Sequence, residues 1–249
     1  MVLLRLEGVT KRFGGLVAVD HVDLEVNEGE AVGIVGPNGS GKTTLYNIIS
    51  GVYLPDEGKV FFEGNDITKL PPHERTPLGL ARTFQIPRPF GAASVKENVA
   101  IGAMFGRAKA NVDEAMKMAD EYLELVGMYE LVNKEAKLLT PLEKKLMELA
   151  RALAMKPKLL LLDELMAGMN PNDINRIIEL VKKIKVKENI AVVSMVEHLM
   201  HAITQFAERV VVMHQGKKLI EGPTMEVLND PKVIEVYLGK KMVIEGYEG

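Results

Sequence analysis

The chain has 249 residues, of which 47% are hydrophobic and 26% are charged, and its formal net charge is −3. Such a chain is long enough for one large globular domain or two small ones, and it has no basic excess that would favour nucleic acid as its partner. Because it contains no cysteine, disulfides, thiolate metal sites and a cysteine nucleophile are excluded.

The segment "MVLLRLEGVT" lacks the basic flank and the apolar core of a signal peptide. No apolar run reaches the roughly 20 residues that a membrane-spanning helix needs. We therefore expect a cytosolic chain that reaches a membrane only through a partner.

Taken in chain order, the pattern predicts strands first, then helices, then both in alternation. Up to about Gly64, short apolar stretches alternate with turn residues, and one helix, "GKTTLYNIIS", interrupts them. Apolar residues then recur at helical spacing as far as Ala154. Beyond it, apolar strands such as "LLLLD" alternate with helices, which is typical of a parallel sheet. We expect an α/β core with the helical block inserted into it.

The stretch "AVGIVGPNGSGKTTLYNI" combines an apolar strand, a glycine-rich turn and a helix start, and it fits the pattern G-x-x-x-x-G-K-[ST]. Glycines let backbone N–H groups point at phosphate oxygens, and the helix start adds its positive end. Lys42 is placed to reach the β- and γ-phosphates, and the Thr43 hydroxyl to bind Mg²⁺. The alternative is a glycine-rich turn with an incidental lysine. The predicted phosphate-binding residues are Gly36, Pro37, Asn38, Gly39, Ser40, Gly41, Lys42, Thr43 and Thr44.

A second chemical signal follows the apolar run "LLLL", where Asp163 and Glu164 stand at the predicted end of a buried strand. We expect Asp163 to hold Mg²⁺ beside Thr43, and Glu164 to orient or deprotonate an attacking water. The alternative is a strand end followed by a solvated acidic pair.

The order of these and further short motifs resembles the ATP-binding subunits of ABC transporters over nearly the whole chain. "KRFGG" offers Phe13 to stack on adenine, "RTFQ" offers Gln85 as the Q-loop glutamine, and "VEHLM" offers His198 as the switch histidine. The resemblance implies that Gln85 links Mg²⁺ and the attacking water to a transmembrane partner, and that His198 contacts the γ-phosphate. Packing, solvated-loop and strand-end roles stay open for these three residues.

Within that family the chain is most similar to the larger ATPase subunit of branched-chain amino acid importers, through "KRFGGLVAVD", "RTFQIPRPF" and "LLLLDELMAGMNP". The resemblance implies an α/β fold with a P-loop NTPase core of the ABC ATPase type, an N-terminal antiparallel β layer and an inserted helical subdomain. The core is expected to comprise 1–85 and 155–249, and the helical subdomain 86–154. The resemblance implies ATP or ADP with Mg²⁺ as ligands. It also implies transmembrane permease subunits and a second ATP-binding subunit as direct partners, a solute-binding protein as an indirect one, and a place on the cytoplasmic side of the membrane. Lipopolysaccharide export, urea import, a non-transport ABC ATPase and a nucleotide-sensing module remain alternatives.

One segment departs from the family pattern. Where the family signature reads L-S-G-G-Q, this chain has Leu139, Thr140, Pro141, Leu142 and Glu143. Proline deletes one N–H group, and leucine adds bulk where the backbone approaches a partner's phosphate. Thr140 and Glu143 instead form the pattern of a capping box with proline at the first helical position. We therefore predict a well-started helix with a weakened phosphate grip, and hence a heterodimer in which an intact signature comes from a different subunit.

Overall fold

The computed structural model describes the backbone of residues 1–195 and 200–238, and in this part of the chain it contains two β-sheets with helices packed against them. The first sheet is antiparallel and has the strand order β2-β1-β4-β5. Its strands are β1 (Val2–Phe13), β2 (Leu16–Asn27), β4 (Glu57–Phe62) and β5 (Asn65–Asp66). Along β2, buried Val22, Leu24 and Val26 alternate with exposed residues, as expected for a sheet with one face on the core.

The second sheet has the order β10-β9-β3-β8-β7-β6, and it is parallel except for β10, which pairs with β9 in the antiparallel sense. Every residue of β3 and β7 is buried, because layers cover both faces of this sheet. Its strands are β3 (Ala31–Val35), β6 (Leu80–Arg82), β7 (Leu159–Asp163), β8 (Ala191–Met195), β9 (Arg209–His214) and β10 (Lys217–Pro223).

Three of the longer helices begin with a capping box, at Ser94, Asn111 and Thr140. This motif satisfies backbone N–H groups that the first turn leaves without partners. None of the helices in the described ranges is long and apolar enough to cross a membrane. The helices are α1 (Lys42–Ile49), α2 (Pro72–Arg75), α3 (Val95–Phe105), α4 (Val112–Leu125), α5 (Pro141–Ala154), α6 (Pro171–Glu188), α7 (Met200–Phe206), α8 (Thr224–Leu228) and α9 (Pro231–Leu238).

The alternation of side chains along β7 divides the apolar interior into two cores. Leu159 and Leu161 belong to the core shared with the antiparallel sheet and α1. Leu160 and Leu162 belong to the core shared with α3, α4, α5 and α6. The predicted α/β fold with an antiparallel N-terminal layer is therefore confirmed, and the parallel sheet is its middle layer.

Helix α1 is held at its carboxyl end by a fully buried arginine. The guanidinium of Arg75 donates to the carbonyl oxygens of Ile48 at 2.7 Å and Ile49 at 2.8 Å, in the last turn of α1. It also donates to Leu70 O at 2.8 Å and Thr68 O at 3.1 Å. Burial lowers the pKa of Arg75 to about 10. A cation at this end satisfies carbonyls that the helix cannot pair internally and complements its dipole.

Candidate nucleotide-binding and catalytic site

The carboxyl ends of the parallel strands bring the predicted site segments to one edge of the second sheet. The glycine-rich loop follows β3, the pair Asp163 and Glu164 ends β7, and Gln85 follows β6. In α/β sheets this edge is where ligands bind. Residue His198 follows β8 in sequence and lies outside the described residues.

The loop between β3 and α1 has a backbone that only glycine accommodates at two positions. Gly36 has φ 152°, and a Cβ there would lie 2.2 Å from Met213 O. Gly41 has φ 101°, and a Cβ there would lie 2.3 Å from Ala18 O. Gly41 is also the N-cap of α1 and supplies no side-chain cap. The first N–H groups of α1 are thus left for an anion.

The ammonium group of Lys42 lies inside this loop. Its side chain is 3% exposed, and its Nζ donates to Gly36 O at 2.7 Å and to Pro37 O at 3.0 Å. The buried hydroxyl of Ser40 has no hydrogen-bond partner among the described residues. A cation, an orphaned hydroxyl and an uncapped helix start together fit an anionic group such as a phosphate.

A cavity of about 440 Å³ opens beside the loop. Phe13 lines it and packs edge-on against Tyr53, with ring centroids 5.3 Å apart and an interplanar angle of 69°. The ammonium of Lys11 lies 5.7 Å from the Phe13 centroid. Of the predicted phosphate-binding residues, those from Gly39 to Thr44 line the cavity, whereas Gly36, Pro37 and Asn38 are not among its lining residues. Tyr53 was not predicted, because no local pattern joins it to Phe13.

Asp163 is buried at the end of β7 and is paired with a basic residue. Its Oδ2 lies 2.6 Å from a guanidinium nitrogen of Arg82, and the two side chains are 4% and 7% exposed. Its backbone N–H donates to Thr83 Oγ1 at 3.2 Å. Its other oxygen, Oδ1, is buried without a hydrogen-bond partner among the described residues. An orphaned carboxylate oxygen is the type of ligand that Mg²⁺ prefers, so this side chain fits the predicted metal site.

The side chains of Glu164 and Gln85 are hydrogen-bonded to each other. The side-chain amide of Gln85 donates to Glu164 Oε2 at 2.7 Å. Glu164 has φ 45°, an uncommon value for a residue other than glycine and one that is often found at functional sites. Its carbonyl oxygen accepts the N–H of Ala167 at 3.0 Å, which closes a turn behind it.

The start of α5 has the geometry that the sequence predicts. Thr140 is the N-cap, Pro141 occupies the first turn, and the capping box with Glu143 is complete. The backbone N–H of Thr140 donates to Glu143 Oε2 at 2.7 Å, and this bond is the main reason that the pKa of Glu143 is lowered.

Two charged residues further along α5 contact the site segments, and sequence reasoning missed both. Burial raises the pKa of Glu148. Burial also lowers the pKa of Lys145, although the negative charges of Glu164 and Glu148 act in the opposite direction. A carboxylate inside the apolar stripe of "LMELARAL" was the available signal for Glu148. Arg82 was missed for a different reason, since its partner lies 81 residues away.

A phosphate-binding loop that precedes a helix, with an Asp-Glu pair at the end of another strand of the same sheet, defines a P-loop ATPase. Comparison with known proteins specifies the family. A family model described as ABC transporter matches residues 19–167, more than half of the chain. The chain therefore belongs to the ABC transporter family and is one of its ATPases, whose domains bind ATP and ADP.

Similar proteins cover nearly the whole chain. A probable branched-chain amino acid transport ATP-binding protein of Archaeoglobus fulgidus is 40% identical, with 96% of each chain covered. A high-affinity branched-chain amino acid transport ATP-binding protein of Pseudomonas aeruginosa is 34% identical, with 96% of this chain and 98% of that protein covered. A nucleotide-free ATP-binding cassette from an ABC transporter superposes with a TM-score of 0.86 at 35% identity, covering 96% of this chain and 100% of that one. The ADP conformation of an ATP-binding cassette of an ABC transporter superposes with a TM-score of 0.83, at the same identity and with the same coverage.

Proposed function

We propose that this chain hydrolyses ATP to power import of branched-chain or related amino acids through a membrane transporter. The main support for the ATPase site is the hydrogen bond from Gln85 to Glu164, which lies at the same sheet edge as the glycine-rich loop. The relatives named for branched-chain amino acid transport support the solute class. They favour it over lipopolysaccharide export, urea import and a non-transport role.

In this proposal the glycine-rich loop binds the phosphates of ATP. The N–H groups at the start of α1 and the Lys42 ammonium bind the β- and γ-phosphate oxygens. Ser40 Oγ, buried and without a partner among the described residues, donates to a phosphate oxygen. Phe13 stacks on adenine, and the edge contact with Tyr53 fixes its ring.

The residues proposed to hold Mg²⁺ are Thr43, Gln85 and Asp163. When bound, the ion supplies charge that neutralises the β- and γ-phosphate oxygens. The orphaned Oδ1 of Asp163 supports its assignment. Gln85, which donates to Glu164 in this structure, offers its amide oxygen to the metal and its amide nitrogen to the carboxylate.

Glu164 is proposed as the group that orients a water molecule and accepts its proton during attack on the γ-phosphorus. A carboxylate can do this only if it is held in place, and the bond from Gln85 supports that condition. His198 is proposed to contact the γ-phosphate, an assignment that rests on the family resemblance alone.

The chain is proposed to act on the cytoplasmic side of the cell membrane, peripheral to a pair of transmembrane permease subunits and with no role for nucleic acid. We place the docking groove beside Gln85 and the segment 86–90, where Ile86 is 74% exposed and Phe90 is 54% exposed. Exposed apolar side chains in one segment are typical of an interaction surface. A solute-binding protein interacts indirectly, on the other side of the permease.

The domain division is also proposed, with 1–85 and 155–249 as the core and 86–154 as a helical subdomain. Contacts of α3, α4 and α5 with one another support this division. The start of α5 lies in the subdomain. In the proposed dimer it faces the phosphates of the other subunit, and Pro141 and Leu142 weaken that contact. The second ATP-binding subunit is therefore proposed to be a different chain.

The experiment that tests the proposal isolates the complex from membranes and measures Mg-ATP binding and turnover with candidate amino acids and their binding protein. Lys42→Ala should weaken binding strongly, because the phosphates lose their nearest cation. Glu164→Gln should keep binding and slow turnover by ~10²-fold or more. Unchanged binding in the first variant, or unchanged turnover in the second, would refute the assigned roles. Stimulation by a different solute class would refute the amino acid assignment alone.

A further inference from the structure

Helix α5 contacts the segment that carries Glu164 through one lysine. The Nζ of Lys145 donates to Leu165 O at 3.1 Å and to Ala167 O at 2.6 Å. These carbonyls belong to the turn that the Ala167 N–H closes onto Glu164 O at 3.0 Å. The bonds are charge-assisted, and such bonds are roughly twice as strong as neutral ones.

The same helix contacts the segment that carries Gln85 through Glu148, three residues further along. Glu148 is 1% exposed, and its Oε1 accepts the backbone N–H of Phe84, the residue before Gln85, at 3.2 Å. Arg151 donates to that carboxylate at 3.3 Å. Arg151 also donates to the carbonyl oxygen of Arg88 at 3.3 Å. The backbone is therefore bonded to α5 on both sides of Gln85.

Lys145 and Glu148 thus contact the two segments whose side chains, Glu164 and Gln85, are hydrogen-bonded to each other. Gln85 and Glu164 lie 79 residues apart in sequence, and the 2.7 Å bond between them forms only if both segments keep their positions. Glu164 has a φ of 45°, which the surrounding structure must maintain because the backbone does not favour it.

We propose that Lys145 and Glu148 are positioning residues for ATP hydrolysis, by which α5 sets the placement of Glu164 and Gln85 relative to each other. The inference rests on the proposed function, since it assigns a purpose to the pair only if Glu164 activates water. Thr140 caps the start of α5, which is proposed to face the partner's nucleotide. The same helix therefore joins the dimer contact of this chain to its own catalytic pair.

A positioning role predicts a specific split between binding and turnover. The loop that binds the phosphates belongs to β3 and α1, whereas these hydrogen bonds of Lys145 and Glu148 go to the segments that carry Glu164 and Gln85. Loss of either residue should therefore leave Mg-ATP affinity nearly unchanged and lower kcat. A displacement of about 1 Å can cost ~10²-fold in rate, so we expect a fall of at least about 10-fold.

The test uses the complex isolated from membranes and compares Lys145→Met with Lys145→Arg. The arginine keeps donors for the two carbonyls and should retain most of the turnover, whereas the methionine should not. Glu148→Gln keeps an acceptor for the Phe84 N–H and should retain more turnover than Glu148→Ala. Lys117→Met, on the exposed face of α4, removes a lysine charge elsewhere and should behave as wild type.

Hydrogen exchange of the full chain supplies a readout that does not depend on turnover. Glu148→Ala should speed exchange of the Phe84 amide, and Lys145→Met should speed exchange of the Ala167 amide. Wild-type kcat in Lys145→Met, or equal losses of kcat and affinity in all the α5 variants, would overturn the inference and leave the proposed function standing. A wild-type complex that binds Mg-ATP without hydrolysing it would overturn both the inference and the proposed function.

Discussion

Replacing Arg82 with methionine tests how the acidic end of β7 is stabilised. The guanidinium bonds to Asp163 Oδ2 at 2.6 Å, to Asn47 Oδ1 at 2.7 Å and to Ser50 Oγ at 2.9 Å. Methionine fills part of the volume but leaves the Asp163 carboxylate buried without its cation. Breaking one side of a buried ion pair costs about 3–5 kcal/mol. For a chain of this size each kcal/mol lowers the unfolding midpoint by about 2–4 °C, so we expect a decrease of roughly 6–20 °C.

The assay is thermal unfolding of the nucleotide-free chain followed by circular dichroism, with urea unfolding as a second measure of free energy. Arg5→Met is the matched control, because its pair with Glu7 is 43% and 47% exposed and exposed pairs contribute about 1 kcal/mol or less. The double variant Arg82→Met with Asp163→Asn should lose less than the sum of the single variants, since the stranded charge is gone. The reasoning would be refuted if the unfolding free energy of Arg82→Met lay within about 1 kcal/mol of the wild-type value, because a loss that small is typical of an exposed pair.

Gly41→Ala should abolish nucleotide binding while leaving most of the fold intact, because a Cβ at φ 101° would lie 2.3 Å from the backbone oxygen of Ala18. Titration calorimetry with Mg-ATP measures the affinity, and a normal affinity would contradict this prediction. Glu143→Ala should destabilise the chain by about 0.5 kcal/mol at pH 7. The folded pKa of Glu143 is lowered by the Thr140 N–H, so this difference is complete above the unfolded value of about 4.3 and shrinks as the pH falls below it. Urea unfolding at several pH values checks this, and a difference independent of pH would exclude it. Pro141→Gly with Leu142→Gly, in a hydrolysis-deficient background, should increase ATP-dependent self-association in sedimentation experiments, with folding verified separately. A tight homodimer without these changes would argue against the weakened grip.

Local patterns were sufficient for the parts of the site that neighbouring residues form. The glycine-rich loop before α1 and the capping box at Thr140 depend on residues close in sequence, and the structure has both. Apolar runs such as "LLLLD" likewise identified buried strands, because covering both faces of a sheet requires apolar residues at every position.

The parts that could not be predicted depend on residues far apart in sequence. Arg82 meets Asp163 only because β6 and β7 pair in register. Lys145 bonds to backbone carbonyl oxygens, which every residue possesses and which therefore leave no mark in the sequence. The bond from Gln85 to Glu164 combines both difficulties, since it joins two loops whose positions other elements determine.

The buried arginine at the carboxyl end of α1 has a consequence for how the loop responds to its surroundings. Helix α1 spans eight residues, so an anion at its amino end and the guanidinium of Arg75 at the other are about 12 Å apart along the axis. The helix thus lies between opposite charges, each oriented favourably to its dipole. Arg75 has no exposed surface, and dissolved ions screen buried charges far less than exposed ones. The attraction of this loop for anions therefore has a component that high salt does not remove.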